Sequence, residues 1–436
     1  MVRQVSGAAM ALTTFLSRYT HSPLFANAYA LILNTGATAA LGMVYWVLAA
    51  RLYSASDVGR GAAAISAMTF LAGVAQLNLA AVMIRFLPGA RRGAARLVAS
   101  TYLVIAGTAL LVAGIFVASL SLWFSSLRFL RDDPWLGVWF VLSTMCWCVF
   151  VNQDGVLTGL RRTSWVPIEN IAYGILKIVL LVAFSSFGYV GLYASWTLPV
   201  LFVVLPVNAL IFRRFIPLHE RDAPADAAAV GLRQIRGYIA GDYLGSLLRL
   251  ATTFLPPVLV TQILGAQMNG YFYQSWNIAY NLQLVSTATM TSLTVESAWD
   301  ESTMRESRWS ILKHTLLLVG LGVAGILVLA PFVLRIFGED YAAEGTTLLR
   351  LLALAAIPQV IVAFALALAR IRRRVIDIIA IQAVSCGFVL GLGLVLLHTF
   401  GLNGIGIAWL VGQTILALWL AFRLRRLYSG DLARTS

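Results

Sequence analysis

The fold is decided by Gly237–Glu296, which reads GYIAGDYLGSLLRLATTFLPPVLVTQILGAQMNGYFYQSWNIAYNLQLVSTATMTSLTVE. Its apolar residues predict two long helices joined by a short turn, each long enough to cross a hydrocarbon layer of ~30 Å. Asp242 and Arg249 are two helical turns apart, so they share one face of the first helix. Arg249 falls near the middle of its apolar run. A charge at that depth faces protein or a water-filled cavity, and it therefore marks a candidate functional site.

The composition requires a membrane protein with many spans. Hydrophobic residues make up 60% of the 436 residues and charged residues only 11%, which is too little charge to cover a soluble globule of this size. Apolar runs recur along the chain, and in lipid such runs must be helices. We predict an all-α polytopic membrane protein with about twelve transmembrane helices. The predicted spans are 24–50, 60–87, 97–120, 135–158, 165–186, 189–212, 237–263, 267–296, 310–335, 346–369, 375–398 and 404–422.

The basic residues predict the orientation. The net charge is +14, and the arginines lie mostly in alternate loops and at both ends of the chain. The positive-inside rule then places the N- and C-termini in the cytoplasm. Because this charge reflects topology, we expect no nucleic-acid partner.

An internal repeat divides the chain into two six-helix halves. FGYVGLYASW (Phe187–Trp196) matches FGLNGIGIAW (Phe400–Trp409), and LAARLYSASDVG (Leu48–Gly59) matches LVTQILGAQMNG (Leu259–Gly270) in hydropathy and turn position. Six spans per copy keep both copies in one orientation. We therefore expect a pseudo-twofold axis along the membrane normal, with a site between the halves near the midplane. The predicted divisions are an N-terminal cytoplasmic segment (1–23), two six-helix bundles (24–212 and 237–422), a cytoplasmic linker (213–236) and a basic cytoplasmic tail (423–436).

Two basic residues fall deep within predicted spans, Lys177 in the fifth and Arg249 in the seventh. They belong to different halves and are not equivalents in the repeat. Together they suit an anionic ligand such as a phosphate or pyrophosphate, because arginine offers a planar fork and lysine a point charge. The alternative is that both form internal salt bridges, Arg249 with Asp242 and Lys177 with Glu169.

Three carboxylates, Asp242, Asp154 and Glu169, fall near the cytoplasmic ends of their spans. A partly buried carboxylate can titrate or coordinate an ion, so these residues are candidates for coupling to H⁺ or Na⁺. The alternative is that they lie close enough to water to stay ionised without a functional role.

Arg85 and Glu296 are repeat equivalents at the cytoplasmic ends of the second and eighth spans. A pseudo-twofold axis places such a pair across a central cleft. We expect a salt bridge between the halves that closes the cytoplasmic side. The alternative is that the two residues are independent interfacial charges.

Polar stripes follow one face of the first and the eighth span. They can line a cavity that hydrogen-bonds sugar hydroxyls, or they can join helices through polar contacts. The stripes consist of Asn27, Asn34 and Thr38 in the first span, and of Gln274, Asn277 and Asn281 in the eighth.

Nothing in the sequence predicts an enzyme. The three cysteines lie inside apolar runs without redox or zinc spacing, and the four histidines are scattered. No catalytic triad or paired-carboxylate arrangement is present. We therefore expect no metal site and no cofactor.

Several passages resemble one superfamily. SPLFANAYALILNTGATAALGMVYWVLAARLYSASDVGRGAAAISA, continuing to LNLAAVMIRFLPGA, resembles the opening of bacterial polysaccharide transporters. FLPPVLVTQILGAQMNGYFYQ, IFGEDYAAEGTTLLRLLALAAIP and FGLNGIGIAWLVGQTILAL resemble the patterns of that group at spans 7–8, 9–10 and 12. The group is the O-antigen-flippase-like branch of the multidrug/oligosaccharidyl-lipid/polysaccharide (MOP) exporter superfamily. The resemblance covers about residues 22–422.

This resemblance implies a MATE-like V-shaped bundle that works by alternating access. It also implies a substrate, a polyprenyl-diphosphate-linked glycan moved from the inner to the outer leaflet of the bacterial plasma membrane for cell-surface glycan synthesis. Buried cations would hold the diphosphate while the lipid tail stays in the bilayer. The candidate partners are the lipid-linked glycan, the lipid bilayer and a glycan-synthesis complex.

Three alternatives stay open. An ion-coupled drug or small-solute antiporter of the same superfamily would typically keep an acid in its first span, and Leu24–Ala50 has no charged residue. A membrane-embedded glycan polymerase or ligase would, by resemblance to that class, need a long outside loop, and the longest one here, Ser121–Pro134, is short. The third alternative is a non-transporting partner for glycan assembly.

Overall fold

The structure is a computed structural model that describes residues 23–90, 93–221, 243–299 and 301–432. The side chains of residues 23–35, 123, 295, 296, 298–307 and 424–432 lie outside the description. The described chain consists of helices joined by short turns, and no strand occurs within it. We number the main helices α1 (Pro23–Leu52), α2 (Ala55–Ala75), α3 (Leu79–Ala90), α4 (Ala94–Trp123), α5 (Pro134–Gly159), α6 (Trp165–Ala183), α7 (Gly188–Leu210), α8 (Tyr243–Phe254), α9 (Pro256–Leu264), α10 (Ala266–Trp299), α11 (Glu301–Arg335), α12 (Glu339–Ile371), α13 (Val375–Cys386), α14 (Gly393–Phe400) and α15 (Leu402–Leu432).

The helices confirm a polytopic all-α membrane protein. Ten helical segments of the described chain are long and apolar enough to cross a membrane. Helices α1 and α10 occupy the two remaining predicted spans; α10 is too rich in polar residues to reach the same hydropathy. Below, α1–α7 are called the N-half and α8–α15 the C-half. The helical chain after α7 continues to Arg221 and α15 continues to Leu432, so both ends extend beyond the predicted boundaries.

The second predicted span, 60–87, is two helices rather than one. It breaks between α2 and α3, where Leu77 (φ 50°) and Asn78 (φ 59°) both adopt the left-handed conformation. Neither residue is glycine, so this conformation has a steric cost of roughly 1–2 kcal/mol per residue. Contacts made by the end of α2 and by α3, on either side of the break, hold the backbone in this conformation.

Helix α3 is fixed to the N-half by two glycines of α5. A Cβ on Gly155 would lie 2.7 Å from the Ala80 carbonyl oxygen, and one on Gly159 would lie 2.7 Å from that of Met83. Glycine alone allows backbones to approach this closely. The last turn of α2, in contrast, contacts the C-half, because the Tyr243 hydroxyl donates a hydrogen bond to the carbonyl of Val74 (2.6 Å). The break therefore separates a helix end that contacts the C-half from a helix that packs against α5 of the N-half.

The seventh predicted span, 237–263, also consists of two helices. Helix α8 ends at Phe254, and α9 begins with Pro256 and Pro257 in its first turn. Proline lacks the backbone N–H that a helix interior requires but is tolerated at a helix start. The break therefore follows directly from the Pro-Pro pair.

The halves meet along the repeat-equivalent helices α2 and α10, at the end of the bundle where these helices begin. The Asn269 side-chain amide donates to the Gly59 carbonyl (2.8 Å). The Arg51 guanidinium donates to the carbonyls of Arg335 and Ile336, each at 2.8 Å. We call this region, defined by residues 51–59, 266–270 and 335–336, the closed end.

Candidate functional site

Two cavities occupy corresponding places in the two halves. The N-half cavity has a volume of about 350 Å³ and the C-half cavity about 400 Å³. Thr38 and Trp196 line the first, and Arg249 and Trp409 line the second. In the repeat, Thr38 corresponds to Arg249 and Trp196 to Trp409. The two cavities are therefore built at equivalent positions with different chemistry.

Lys177 is enclosed by aromatic rings in the N-half cavity. Its Nζ lies 4.2 Å from the ring centroid of Trp196 and 5.1 Å from the centroids of Tyr45 and Tyr173. Only 6% of the residue is exposed. A cation over an aromatic face gains roughly 2 kcal/mol or more when desolvated. The described residues show no salt bridge from Lys177 to Glu169, so the rings take the place of the predicted acidic partner.

Two carboxylates lie in or near the same region. Asp154 lines the N-half cavity, and the side-chain nitrogen of Asn170 lies 3.5 Å from both of its carboxylate oxygens. Glu169 is 1% exposed, and neither of its carboxylate oxygens has a hydrogen-bond partner among the described residues. Asp154 is thus placed to meet a ligand in the cavity, whereas Glu169 is enclosed by protein.

The C-half cavity is polar and carries positive charge. Arg249 and Arg370 both line it, and no described residue of its lining is acidic. Arg249 is exposed to the cavity, and within the described part of the chain no acid lies at salt-bridge distance from it. Its predicted partner Asp242 lies outside the described residues. The other polar lining residues are Asn78, Ser246, Thr252, Thr253, Tyr280, Gln283, Thr287, Thr291, Gln359, Gln382, Ser385, Trp409 and Gln413.

The two predicted ligand cations are not brought together. Lys177 lines the N-half cavity and Arg249 the C-half cavity. Lys177 lies six residues before the end of α6, or ~9 Å along the helix axis, and three residues beyond the middle of the helix. The structure therefore places the two cations in separate cavities, and their joint binding of one anionic group stays a prediction. Arg370, at the end of α12, is instead the second cation beside Arg249.

The predicted polar stripes are only partly at the cavities. Thr38 lines the N-half cavity, but Gln274, Asn277 and Asn281 are not among the residues that line either cavity. Gln274 is 1% exposed, and Asn281 donates a hydrogen bond to the Asn277 carbonyl (2.8 Å) within α10. Asn27 and Asn34 lie outside the described side chains.

The predicted Arg85–Glu296 gate stays a prediction, because the Glu296 side chain lies outside the description. The Arg85 guanidinium lies 5.8 Å from the ring centroid of Phe86. Arg85 is carried by α3, which the break at Leu77–Asn78 separates from α2.

Sequence reasoning missed most of the C-half cavity. Gln359, Gln382 and Gln413 are each the only glutamine of an apolar helix, and each looks unremarkable alone. One signal was present: the match between Phe187–Trp196 and Phe400–Trp409 ends on the two tryptophans that line the cavities. The described residues contain no group of three or more His, Cys, Asp or Glu side chains placed to hold a metal ion.

Solved structures share this arrangement of helices. A MATE multidrug transporter, DinF-BH, matches with a TM-score of 0.68 and 17% identity over 92% of this chain and 95% of that chain. Two structures described as a multidrug resistance MATE family transporter of the MOP superfamily, one inward-facing and one outward-facing, each match with a TM-score of 0.63. The inward-facing form is 17% identical over 90% of this chain and 95% of that chain, and the outward-facing form is 15% identical over 94% and 97%. No protein-family model and no curated protein matches the sequence.

Proposed function

The chain has the MATE-like all-helical transporter fold, and we propose that it exports a polyprenyl-diphosphate-linked glycan across a bacterial plasma membrane. The observation that carries this substrate is the charge of the C-half cavity. Arg249 and Arg370 line it without a described acidic residue beside them. A cavity of that charge favours an anionic ligand and disfavours a cation.

Arg249 has the chemistry that a diphosphate requires. A guanidinium offers parallel N–H donors to phosphate oxygens, and such charge-assisted hydrogen bonds are about twice as strong as neutral ones. Arg370 adds a second positive charge to the same cavity. In this proposal the cavity holds the diphosphate, while the lipid tail stays in the bilayer. The termini are cytoplasmic, as the arginine distribution predicts.

Transport by alternating access requires the halves to separate at one end and meet at the other. In this proposal the contacts of the closed end, including Arg51 with Ile336, break when the cavity opens to the other side. Asp154 is the candidate for coupling to H⁺ or Na⁺, because it lines the N-half cavity. No cofactor and no enzymatic step belong to this proposal.

The second candidate is an ion-coupled drug antiporter. Two observations favour it: the solved structures above are named as multidrug transporters, and the carboxylate of Asp154 lines the N-half cavity. The two candidates differ in the charge of the ligand that the cavities should prefer. A cationic drug would bind beside Asp154, whereas a lipid diphosphate would bind beside Arg249.

Ligand binding to the purified full chain in detergent tests the proposal. The two probes are polyprenyl diphosphate and the cationic dye ethidium. We expect polyprenyl diphosphate to bind and Arg249→Ala to weaken it by about ten- to a hundred-fold, since one charge-assisted hydrogen bond contributes ~1.5–3 kcal/mol. Arg350→Ala is the matched control, because Arg350 is exposed on the same half but outside the cavity. Binding of ethidium alone, lost in Asp154→Asn, would replace the glycan proposal with the drug antiporter.

A further inference from the structure

One wall of the C-half cavity is lined by neutral polar side chains from three helices. Gln359 comes from α12, Gln382 and Ser385 from α13, and Trp409 and Gln413 from α15. We propose that this wall is a sugar subsite, which binds the first sugar of the glycan while Arg249 binds the diphosphate. This inference rests on the proposed function and specifies how the head group is recognised.

Unpartnered acceptors on this wall point to a ligand that donates hydrogen bonds. Gln413 is 1% exposed, and its Nε2 donates to the Ser385 hydroxyl (2.8 Å), which leaves its Oε1 without a partner among the described residues. The Gln359 Oε1 is also buried without a described partner. A buried polar atom in this state has a cost of ~1–3 kcal/mol. Sugar hydroxyls entering the cavity would donate to both oxygens and remove that cost.

Trp409 adds a hydrogen-bond donor to the same wall. Its side chain is 4% exposed and packs in a T-shaped arrangement against Trp276, with the ring centroids 4.8 Å apart. Its indole nitrogen is buried and has no hydrogen-bond partner in the described chain, so it can donate to a sugar oxygen. The indole N–H is therefore suited to bind one sugar oxygen while the glutamines bind the sugar hydroxyls.

Comparison with the N-half explains why the C-half has the subsite. There, the Lys177 ammonium covers the face of Trp196 at 4.2 Å. The repeat equivalent of Lys177 in the C-half is near Leu390, which has no charge and packs against the hydrophobic core. The C-half cavity has cations elsewhere, at Arg370 and at Arg249, the equivalent of Thr38. Among the described residues the Trp409 ring packs against Trp276 and not against a lysine, and Arg249 lines the same cavity.

The volume and charge of the cavity limit the ligand. A cavity of about 400 Å³ is at the lower end of the range for small-molecule sites, so it accommodates the sugar next to the diphosphate rather than a long glycan. A cavity lined by amide side chains and arginines is compatible with neutral or acidic sugars. A sugar with a free amino group would meet Arg249 and Arg370 without a described acid, so we expect it to be disfavoured.

The subsite is tested by comparing two lipids on the purified full chain. One is polyprenyl diphosphate, and the other is the same lipid carrying a single N-acetylhexosamine. We expect the sugar to strengthen binding at least tenfold in the unmodified chain. Gln413→Leu should abolish this gain, so that the two lipids bind this variant with equal affinity. Arg249→Ala should weaken binding of both lipids by the same factor.

Gln274→Leu is the matched control. Gln274 is also 1% exposed with an unpartnered amide among the described residues, but it lines neither cavity, so this variant should keep the full gain from the sugar. Gln359→Leu provides a second test if Gln413→Leu does not fold. Equal affinity for both lipids, or a sugar gain that survives both glutamine variants, would overturn the subsite and leave the diphosphate site standing. Failure of both lipids to bind would overturn the proposed function and the subsite together.

Discussion

Gly59 and Gly270 occupy equivalent positions in the two halves, and the backbone of the opposite half passes where each would carry a Cβ. A Cβ on Gly59 would overlap the Ala266 carbonyl oxygen, and one on Gly270 would overlap that of Ala55. Ala55 and Ala266 are themselves repeat equivalents, so the two contacts are related by the pseudo-twofold axis. Helices α2 and α10 thus approach more closely at the closed end than any side chain would allow.

Replacement of either glycine by alanine should force the halves apart. Overpacking a close contact costs ~1–3 kcal/mol, and here the obstacle is backbone, which cannot rotate away as a side chain can. We expect Gly59→Ala and Gly270→Ala each to lower the thermal unfolding temperature in detergent and to raise the labelling of cysteines introduced at the closed end. Gly320→Ala is the control, because nothing lies within 4 Å of its added Cβ. Equal effects of all three substitutions would contradict the close contact.

The aromatic enclosure of Lys177 predicts selective protection of its amine. Lys177 and Lys313 are the two lysines of the sequence; Lys313 is exposed, and Lys177 is 6% exposed under three rings. A water-soluble amine-reactive ester should therefore modify Lys313 in the folded protein and reach Lys177 only after denaturation in detergent. Peptide mass spectrometry measures both sites in one sample, so Lys313 is an internal control. Modification of both lysines at similar rates would show that the ring enclosure is open in solution.

The all-helical fold and most of the spans follow from the sequence, because hydropathy reports the length of apolar segments directly. The break in the second span does not, since Leu77 and Asn78 are neither glycine nor proline. It arises from the contact of α3 with Gly155 and Gly159, which are distant in sequence. The Pro256-Pro257 pair is a sequence feature that marks the break in the seventh span. The span was nevertheless predicted as one segment, because the apolar run continues across the pair.

The candidate site was predicted less completely than the fold. Depth along a span identified Arg249 and Lys177 as cations within predicted spans, yet it does not reveal which other residues each of them faces. The side of a helix that faces a cavity depends on how the helices rotate and pack against each other. The sequence therefore did not indicate that glutamines from three separate helices line one cavity. The aromatic enclosure of Lys177 was not predicted for the same reason, because Tyr45, Tyr173 and Trp196 come from three helices.

Removing the carboxyl group of Glu169 should stabilise the fold. Both of its oxygens are buried without a described partner, and a buried carboxylate in that state costs more than a neutral side chain of similar size. We expect the Glu169→Gln variant to unfold at a higher temperature than the unmodified protein, and the Glu169→Leu variant at a higher temperature still. Glu344→Gln, at an exposed position of α12, should leave it unchanged. A stabilised Glu169 variant that has lost transport would identify the residue as functional, as its candidacy for ion coupling predicts. A loss of stability in Glu169→Leu would instead indicate a polar partner for the carboxyl group.

Because the backbone at Leu77 is left-handed, we expect a β-branched residue at this position to destabilise the protein more than one in a neighbouring helix. Isoleucine has the volume of leucine, but its branched Cβ makes the left-handed conformation less accessible. Leu77→Ile should therefore lower stability by about 1–2 kcal/mol more than Leu79→Ile, which lies two residues later in regular helix α3. Thermal unfolding of the two variants measures the difference. Equal losses would mean that the span becomes a continuous helix in solution.

Asn78→Gly tests the neighbouring position, because glycine keeps the left-handed backbone but removes the side chain that lines the C-half cavity. This variant should keep its stability and bind polyprenyl diphosphate more weakly.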